Sequence, residues 1–310
     1  MEHAIALRTT IPLFLLIGLG FLARRFGLLR SGDERVLNAY VYYFALPALF
    51  IVNLSETEFS RTNIQFTVAA VTPVVIATVI FLVLYFFIRF SRNLLYLLIQ
   101  STAFGSLAFF GIPFITFAFP GREAEYLTTL SIAAISPVSV ALSIVVLEFY
   151  RIEHVTVWEA VRHVGKRLSA NPLILSILVG TLFSIVGLRI PGPISTSLHM
   201  LGSTTSTVAV FMLGVFLFGR RYGSIADAFK LSLLRMIFLP VVALLTAWLF
   251  NVHGLERSVM VLMHSMPIAI SMIVLSERYN FYRELIASLV LVSSLAAAVY
   301  LNIWLYILGH

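Results

Sequence analysis

Long apolar segments separated by short polar ones follow one another along the whole chain. Most of these segments run for about 18 to 25 residues, the length of an α-helix that crosses the hydrocarbon core of a bilayer. They lack the alternating strands of about ten residues that are typical of an outer-membrane barrel. The pattern predicts an all-α membrane protein with ten spans, near residues 9–23, 37–54, 66–88, 94–119, 126–150, 171–188, 198–218, 229–250, 257–276 and 284–307.

The composition supports a membrane protein and removes several kinds of chemistry. Hydrophobic residues make up 60% of the 310 and charged residues only 11%, whereas roughly a quarter of a soluble domain is charged. There is no cysteine, which excludes disulfides, thiolate catalysis and cysteine-ligated metals. Paired intramembrane aspartates and the HExxH and GxSxG motifs are missing, and nothing resembles a selectivity filter. We therefore expect neither an enzyme nor a channel, and no cofactor or metal.

The Lys and Arg residues are unevenly distributed between alternate loops. Sixteen of the 21 fall on one side of the predicted membrane, and the other side holds only Arg8, Arg61, Arg122, Arg189 and Arg257. Because positively charged loops stay in the cytoplasm, this bias predicts a multi-pass protein of the cell membrane with both termini outside the cytoplasm. The bias also accounts for the net charge of +7 without a nucleic-acid partner.

The two halves of the chain share a short internal repeat. At an offset of 160 residues, "IPLFLLIGLGFLARRFGL" from Ile11 lies over "NPLILSILVGTLFSIVGL" from Asn171, with proline and glycine at shared positions. The second copy lies five spans after the first, and an odd offset makes it enter the membrane from the opposite face. The repeat predicts two inverted five-helix halves, 1–150 and 171–310, joined by a cytoplasmic linker at 151–170. A chance match between two leucine-rich helices is the alternative.

Two of the predicted spans contain a proline at equivalent places. Span four reads "FGSLAFFGIPFITF" and contains Gly111-Ile112-Pro113, and span nine reads "MHSMPIAISM" around Pro267. Proline removes a helix hydrogen bond, so in hydrocarbon it is tolerated mainly where the broken backbone is buried in protein or lines a polar cavity. We expect both helices to break at these prolines and to cross near the midplane, where half-helix N-termini bind an anion. Two simple kinks are the alternative.

In this order and spacing, these segments resemble the auxin efflux carrier family over nearly the whole chain. The resemblance is carried by "PLFLLIGLGFLARRFGLL", "LNAYVYYFALPALF", "FGSLAFFGIPF", "NPLILSILVGTLFSIVGL" and "MPIAISMIVLSERY" in spans one, two, four, six and nine. It implies a scaffold of spans one, two, six and seven and a moving transport domain of spans three to five and eight to ten. The crossing helices four and nine would hold the substrate. Ser106 and Ser271 stand where the family often has Asn, and Thr207 where it often has proline.

The candidate substrate site lies in the crossing region and in two further spans. Its members are Pro47, Gly105, Ser106, Gly111, Ile112, Pro113, Ser136, His264, Ser265, Pro267, Ile268 and Ser271. His264 could carry a proton or bind a carboxylate, or it could be a neutral histidine bonded to the helix backbone. Serine hydroxyls in membrane helices often return to the carbonyl four residues earlier. We expect no carboxylate at mid-membrane, and we expect Arg235 to extend to the cytoplasmic surface.

These features together predict a secondary transporter that moves a small organic anion by an elevator-type mechanism. Export or facilitated diffusion is favoured, because the membrane potential drives a monoanion outward by about 2.3 kcal/mol per 100 mV. The alternative is a Na⁺- or H⁺-coupled organic anion symporter of the bile-acid-transporter type. The expected partners are the lipid bilayer, the anion, a coupling H⁺ at His264 or Na⁺, and a second copy bound through scaffold helices.

Overall fold

The computed structural model describes residues 2–30, 32–56, 61–151, 162, 165–166, 169–219 and 221–310. Most of the predicted linker at 151–170 lies outside these residues. All regular elements in the described part of the chain are helices, which we number in chain order. They are α1 (Glu2–Arg25), α2 (Asp33–Ser55), α3 (Arg61–Ile88), α4 (Arg92–Ala103), α5 (Leu107–Ala118), α6 (Arg122–Arg151), α7 (Pro172–Val186), α8 (Gly192–Leu217), α9 (Ile225–Leu249), α10 (Gly254–Ser265), α11 (Ser271–Tyr279) and α12 (Arg283–Ile307).

Six of these helices are long and apolar enough to cross a membrane: α2, α3, α6, α8, α9 and α12. The prediction of an all-helical, multi-pass membrane protein is therefore confirmed. Each of the ten predicted spans coincides with one helix or with two short helices in succession. The two-helix cases are α4 with α5, which cover span four, and α10 with α11, which cover span nine. The count of ten spans and their orientation stay predictions.

Three of the described helices contain a wider π-helical turn, and each turn ends two residues before a proline. The turns are Val41–Ala45 before Pro47, Leu107–Gly111 before Pro113, and Leu234–Phe238 before Pro240. A proline ring clashes with the carbonyl four residues earlier, and that carbonyl falls inside the turn in every case. The wider turn lets the helix continue past the proline.

The turn in α9 shows how the freed carbonyl is satisfied. Met236 lies four residues before Pro240, so its carbonyl loses the usual helical donor. The indole Nε1 of Trp304, on α12, donates a hydrogen bond of 2.7 Å to this oxygen. The proline therefore fixes α9 against α12 and leaves no unpaired carbonyl at Met236.

Glycines make close contacts between α1 and α8 and between α2 and α7. A Cβ on Gly20 of α1 would lie 2.0 Å from the carbonyl oxygen of Phe211 on α8, and one on Gly180 of α7 would lie 3.0 Å from that of Ile51 on α2. Gly20 and Gly180 are 160 residues apart, and so are Ile51 and Phe211. The two glycine contacts are therefore related by the same offset of 160 residues as the two sequence segments. Only glycine lets these backbones approach so closely.

We expect Gly20→Ala to weaken the packing of α1 on α8. Its added methyl would overlap the Phe211 carbonyl, and overpacking of this kind costs about 1–3 kcal/mol. Gly18→Ala is the matched control on the same helix, because nothing lies within 4 Å of its added Cβ. Thermal unfolding in detergent should show a lower midpoint for Gly20→Ala alone. Equal midpoints would show that α1 and α8 do not approach at Gly20.

Candidate functional site

The two interrupted helices meet at their breaks. Residues 104–106 connect α4 to α5 in an extended conformation and pair with residues 267–269 between α10 and α11 as a short antiparallel bridge. The Ser106 amide donates to the Pro267 carbonyl at 2.7 Å, and the Ala269 amide donates to the Phe104 carbonyl at 3.0 Å. Backbone groups that the breaks release therefore satisfy each other across the crossing, as a low-dielectric interior demands.

The predicted position of the first break was wrong. Gly111-Ile112-Pro113 lies within the continuous helix α5, and the chain is extended at residues 104–106 instead. Pro113 causes no break because the π-helical turn before it removes the clash. The predicted second break is correct, since Pro267 lies between α10 and α11.

The guanidinium of Arg235 lies at the crossing. Arg235 comes from the π-helical turn of α9 and is completely buried. Its Nε donates to the Met266 carbonyl at 2.8 Å, Nη1 to the Thr102 carbonyl at 2.5 Å, and Nη2 to the Met263 carbonyl at 3.5 Å. Thr102 is in the last turn of α4 and Met263 in the last turn of α10, where most carbonyls lack the usual helical donor. The Met263 carbonyl also accepts from the Met266 amide at 3.4 Å. One cation thus binds the negative ends of two half-helices.

The expectation that Arg235 extends to the cytoplasmic surface was therefore wrong. Carbonyls at the two broken helix ends replace water as acceptors for its N–H groups, so the side chain has partners in the interior. Gly105 makes room for it: a Cβ there would lie 1.6 Å from Nη2. In the described part of the chain no carboxylate pairs with this guanidinium. The carboxylate of Glu148, also buried, instead accepts a hydrogen bond of 2.6 Å from the Tyr279 hydroxyl.

The second half-helices present unpaired amides at their N-termini. No hydrogen bond among the described residues is donated by the amides of Ala108 and Phe109 in α5, or by those of Ile270 and Ser271 at the start of α11. Ser106 immediately precedes α5, and Ser271 is the first residue of α11. The two serines therefore stand at the positive ends of two helix dipoles, where an anion is stabilised.

Two further predicted residues lie at the end of α10. His264 and Ser265 are fully buried. The Ser265 hydroxyl donates to the Val261 carbonyl at 2.9 Å, and His264 Nδ1 lies 2.8 Å from the Met260 carbonyl oxygen. The Nε2 atom of His264 makes no well-formed hydrogen bond, although the ring also interacts with the Ala70 backbone. Both side chains are thus bonded to the preceding turn of their own helix.

The remaining predicted residues occupy different surroundings. Gly111 is a close-packing position, since a Cβ there would lie 3.0 Å from the Met263 sulfur. The Ile268 amide donates to the Ser293 hydroxyl at 3.1 Å, which joins the extended segment to α12.

The other predicted residues make no direct contribution to the crossing. Pro47 and Ser136 are half-buried in α2 and α6, and no described hydrogen bond joins either to the crossing. Ile112 and Pro113 are buried in α5.

Sequence reasoning missed the roles of two polar residues near the crossing. Arg235 binds both half-helix ends, and Gln100 joins α4 to α6. Gln100 donates to the Ser143 carbonyl of α6 at 3.0 Å and accepts from the Ser143 hydroxyl at 2.9 Å. Both lie in otherwise apolar spans, and a polar side chain in such a place is itself a signal of function or of a specific partner.

The chain matches known membrane transporters over nearly its whole length. The model of a family described as membrane transport protein matches residues 5–305. The chain belongs to this family, the auxin efflux carriers. The resemblance stated from the sequence is thereby confirmed, and so is the assignment to membrane transporters.

Individual relatives of this carrier are distant but similar along their full length. The chain is 23% identical over 306 residues to the Escherichia coli "Uncharacterized transporter YfdV", covering 96% of both chains. It is 25% identical over 320 residues to a Rhizobium meliloti protein named "Putative malonate transporter", covering 96% of this chain and 94% of the relative. A Methanothermobacter thermautotrophicus transporter is 25% identical over 308 residues, with 97% of each chain covered.

We expect Gly105→Ala to displace the Arg235 guanidinium and destabilise the carrier by about 1–3 kcal/mol. Gly192→Ala, whose added Cβ meets nothing within 4 Å, is the control. The same Gly105→Ala change in an Arg235→Ala background should cost clearly less, because the group it overlaps is gone. Thermal unfolding of the unmodified protein, Gly105→Ala, Arg235→Ala and the double variant measures this coupling. Strictly additive effects would show that Gly105 and Arg235 do not touch.

Proposed function

We propose that this protein is a secondary transporter that carries a small organic carboxylate across the cell membrane through the crossing of its interrupted helices. The observation that carries the proposal is the buried positive charge of Arg235, which no described carboxylate neutralises, next to the unpaired amides that begin α5 and α11.

The electrostatics of the crossing favour an anion over a cation. A buried cation without a counter-ion is costly, and an anionic ligand nearby lowers that cost. The N-terminal amides of α5 and α11 supply donors and partial positive charge. Removing the ligand from water strengthens each of these interactions, since the effective dielectric constant of the interior is low. A carboxylate offers these groups both negative charge and acceptor oxygens.

A dicarboxylate is the first substrate to test, because the Rhizobium meliloti relative is named for malonate. The short hydroxyls of Ser106 and Ser271 leave more space at the half-helix ends than the amides that the family often has there. The screen therefore includes monocarboxylates and longer dicarboxylates.

The proposed architecture is ten spans in two inverted repeats. Its support is the offset of 160 residues, which relates both the sequence segments and the glycine contacts of α1 with α8 and of α7 with α2. These four helices would form the scaffold. The other helices carry the crossing and would move across the scaffold as an elevator. Both termini lie outside the cytoplasm in this arrangement, as the distribution of Lys and Arg predicts even without Arg235.

The proposed direction of transport is outward, and the membrane potential supports it. A monoanion leaves the cell downhill by about 2.3 kcal/mol per 100 mV, so export or facilitated diffusion needs no coupling ion. Coupled uptake is the alternative. Proton coupling would use His264, whose ring is bonded to its own helix backbone.

Replacement of Ser271 tests the anion site directly. Ser271→Asp should retain the fold, because an acidic residue in the first turn of a helix is favourable. It should abolish carboxylate binding, because its charge occupies the position proposed for the ligand. Ser271→Asn, of nearly equal size and uncharged, is the matched control and should still bind. The measurement is the rise in unfolding temperature on adding malonate and related carboxylates, followed by uptake into proteoliposomes. Equal binding by the Asp and Asn variants would contradict the proposed site.

His264→Gln separates the two coupling schemes. Uncoupled transport predicts that the rate and its dependence on pH and voltage match those of the unmodified protein in proteoliposomes. A lost pH dependence would support the proton-coupled alternative instead.

A further inference from the structure

The carbonyls that surround Arg235 are of the kind that bind coupling ions in other transporters. In carriers with interrupted helices, unwound backbone carbonyls and half-helix C-termini typically coordinate Na⁺. Here the carbonyls of Thr102, Met263 and Met266 occupy such places, and all three accept hydrogen bonds from one guanidinium.

We propose that the Arg235 guanidinium permanently occupies the position of a coupling cation, so that this carrier binds and moves its anion without Na⁺. The proposal rests on the function proposed above and specifies its energetics. A tethered cation supplies the positive charge that a bound ion would otherwise bring, and it cannot dissociate.

The guanidinium packs tightly against the extended segment between α4 and α5. Nη2 is so close to the Cα of Gly105 that even a methyl group there would overlap it. Arginine stays protonated in proteins, so the charge is constant at any physiological pH. Three carbonyl oxygens thus lie around the position that the guanidinium takes.

The sequence of α9 explains how the charge is held there. The turn that carries Arg235 is widened because Pro240 follows it, and Trp304 fixes this turn by binding the Met236 carbonyl. The same turn contacts both α4 and α10. Arg235 is therefore positioned by helix packing as well as by its own hydrogen bonds.

The experiment compares cation dependence in the unmodified protein and in Arg235→Ala. Unfolding temperature and malonate-induced stabilisation are measured in NaCl and in N-methylglucamine chloride at equal ionic strength. For the unmodified protein we expect the same values in both media. Arg235→Ala should bind malonate about tenfold or more weakly without Na⁺, a loss of at least 1.4 kcal/mol, and should regain binding and stability with Na⁺ or guanidinium chloride at low millimolar concentration.

Lys230→Ala is the matched control. Lys230 is an exposed cation on the same helix, paired with Asp227 at 3.6 Å. Its removal changes the net charge as Arg235→Ala does but leaves the crossing intact. It should show no response to Na⁺ or to guanidinium.

Several results would overturn the proposal. One is stabilisation or binding by the unmodified protein that depends on Na⁺. A second is a folded Arg235→Ala that binds malonate equally well in both media. A third is a folded Arg235→Ala that responds to neither Na⁺ nor guanidinium. If Arg235→Ala does not fold, Arg235→Lys takes its place. It keeps the charge, so it should bind more weakly yet remain independent of Na⁺, and Na⁺ dependence in this variant would refute the proposal.

Failure of the proposed function gives a different result. In that case no carboxylate stabilises the unmodified protein in any medium. The effect of Na⁺ and guanidinium on the unfolding temperature of ligand-free Arg235→Ala still decides whether the position binds a cation.

Discussion

An unpaired backbone polar group is costly inside a membrane protein, and this cost organises the crossing of the two interrupted helices. Each break releases carbonyls at the end of one half-helix and amides at the start of the next. The extended segments pair with each other through Gly105 and Ile268, and Arg235 binds the carbonyls of Thr102, Met263 and Met266. The amides are left over. This asymmetry, with carbonyls bound by a cation and amides unpaired, is the basis of the anion site that we propose.

Glycines and prolines around the crossing make this arrangement possible. The glycines allow close packing, and the prolines set the course of the helices. Gly105 provides the room for a guanidinium, and Gly111 lets α5 approach Met263. Proline contributes in two different ways. Pro267 lies in a true break, whereas Pro113 and Pro240 follow wider turns that keep their helices continuous. The turn before Pro240 carries Arg235. A proline in α9 therefore helps to position the charge that binds the ends of α4 and α10.

The sequence predicted the all-helical membrane class, the family and the region of the crossing, because hydrophobic length, loop charge and Gly/Pro placement are local signals. It misplaced the first break, since Pro113 looks like a helix breaker and only the structure shows the wider turn that accommodates it. It also misjudged Arg235. From sequence, an arginine within reach of a span end is expected to extend to the surface. The three carbonyls that hold it inside come from segments more than 25 residues away along the chain, and no local pattern reveals them.

The central claim is that an anion binds at the positive ends of α5 and α11, beside the charge of Arg235. The most direct measurement is a crystal structure with a brominated small carboxylate, in which the bromine is located by its anomalous scattering. We predict a peak next to Ser106 and Ser271, with the carboxylate facing the amides that begin the two half-helices. A carboxylate bound only elsewhere, with the crossing free of ligand at a saturating concentration, would contradict the account.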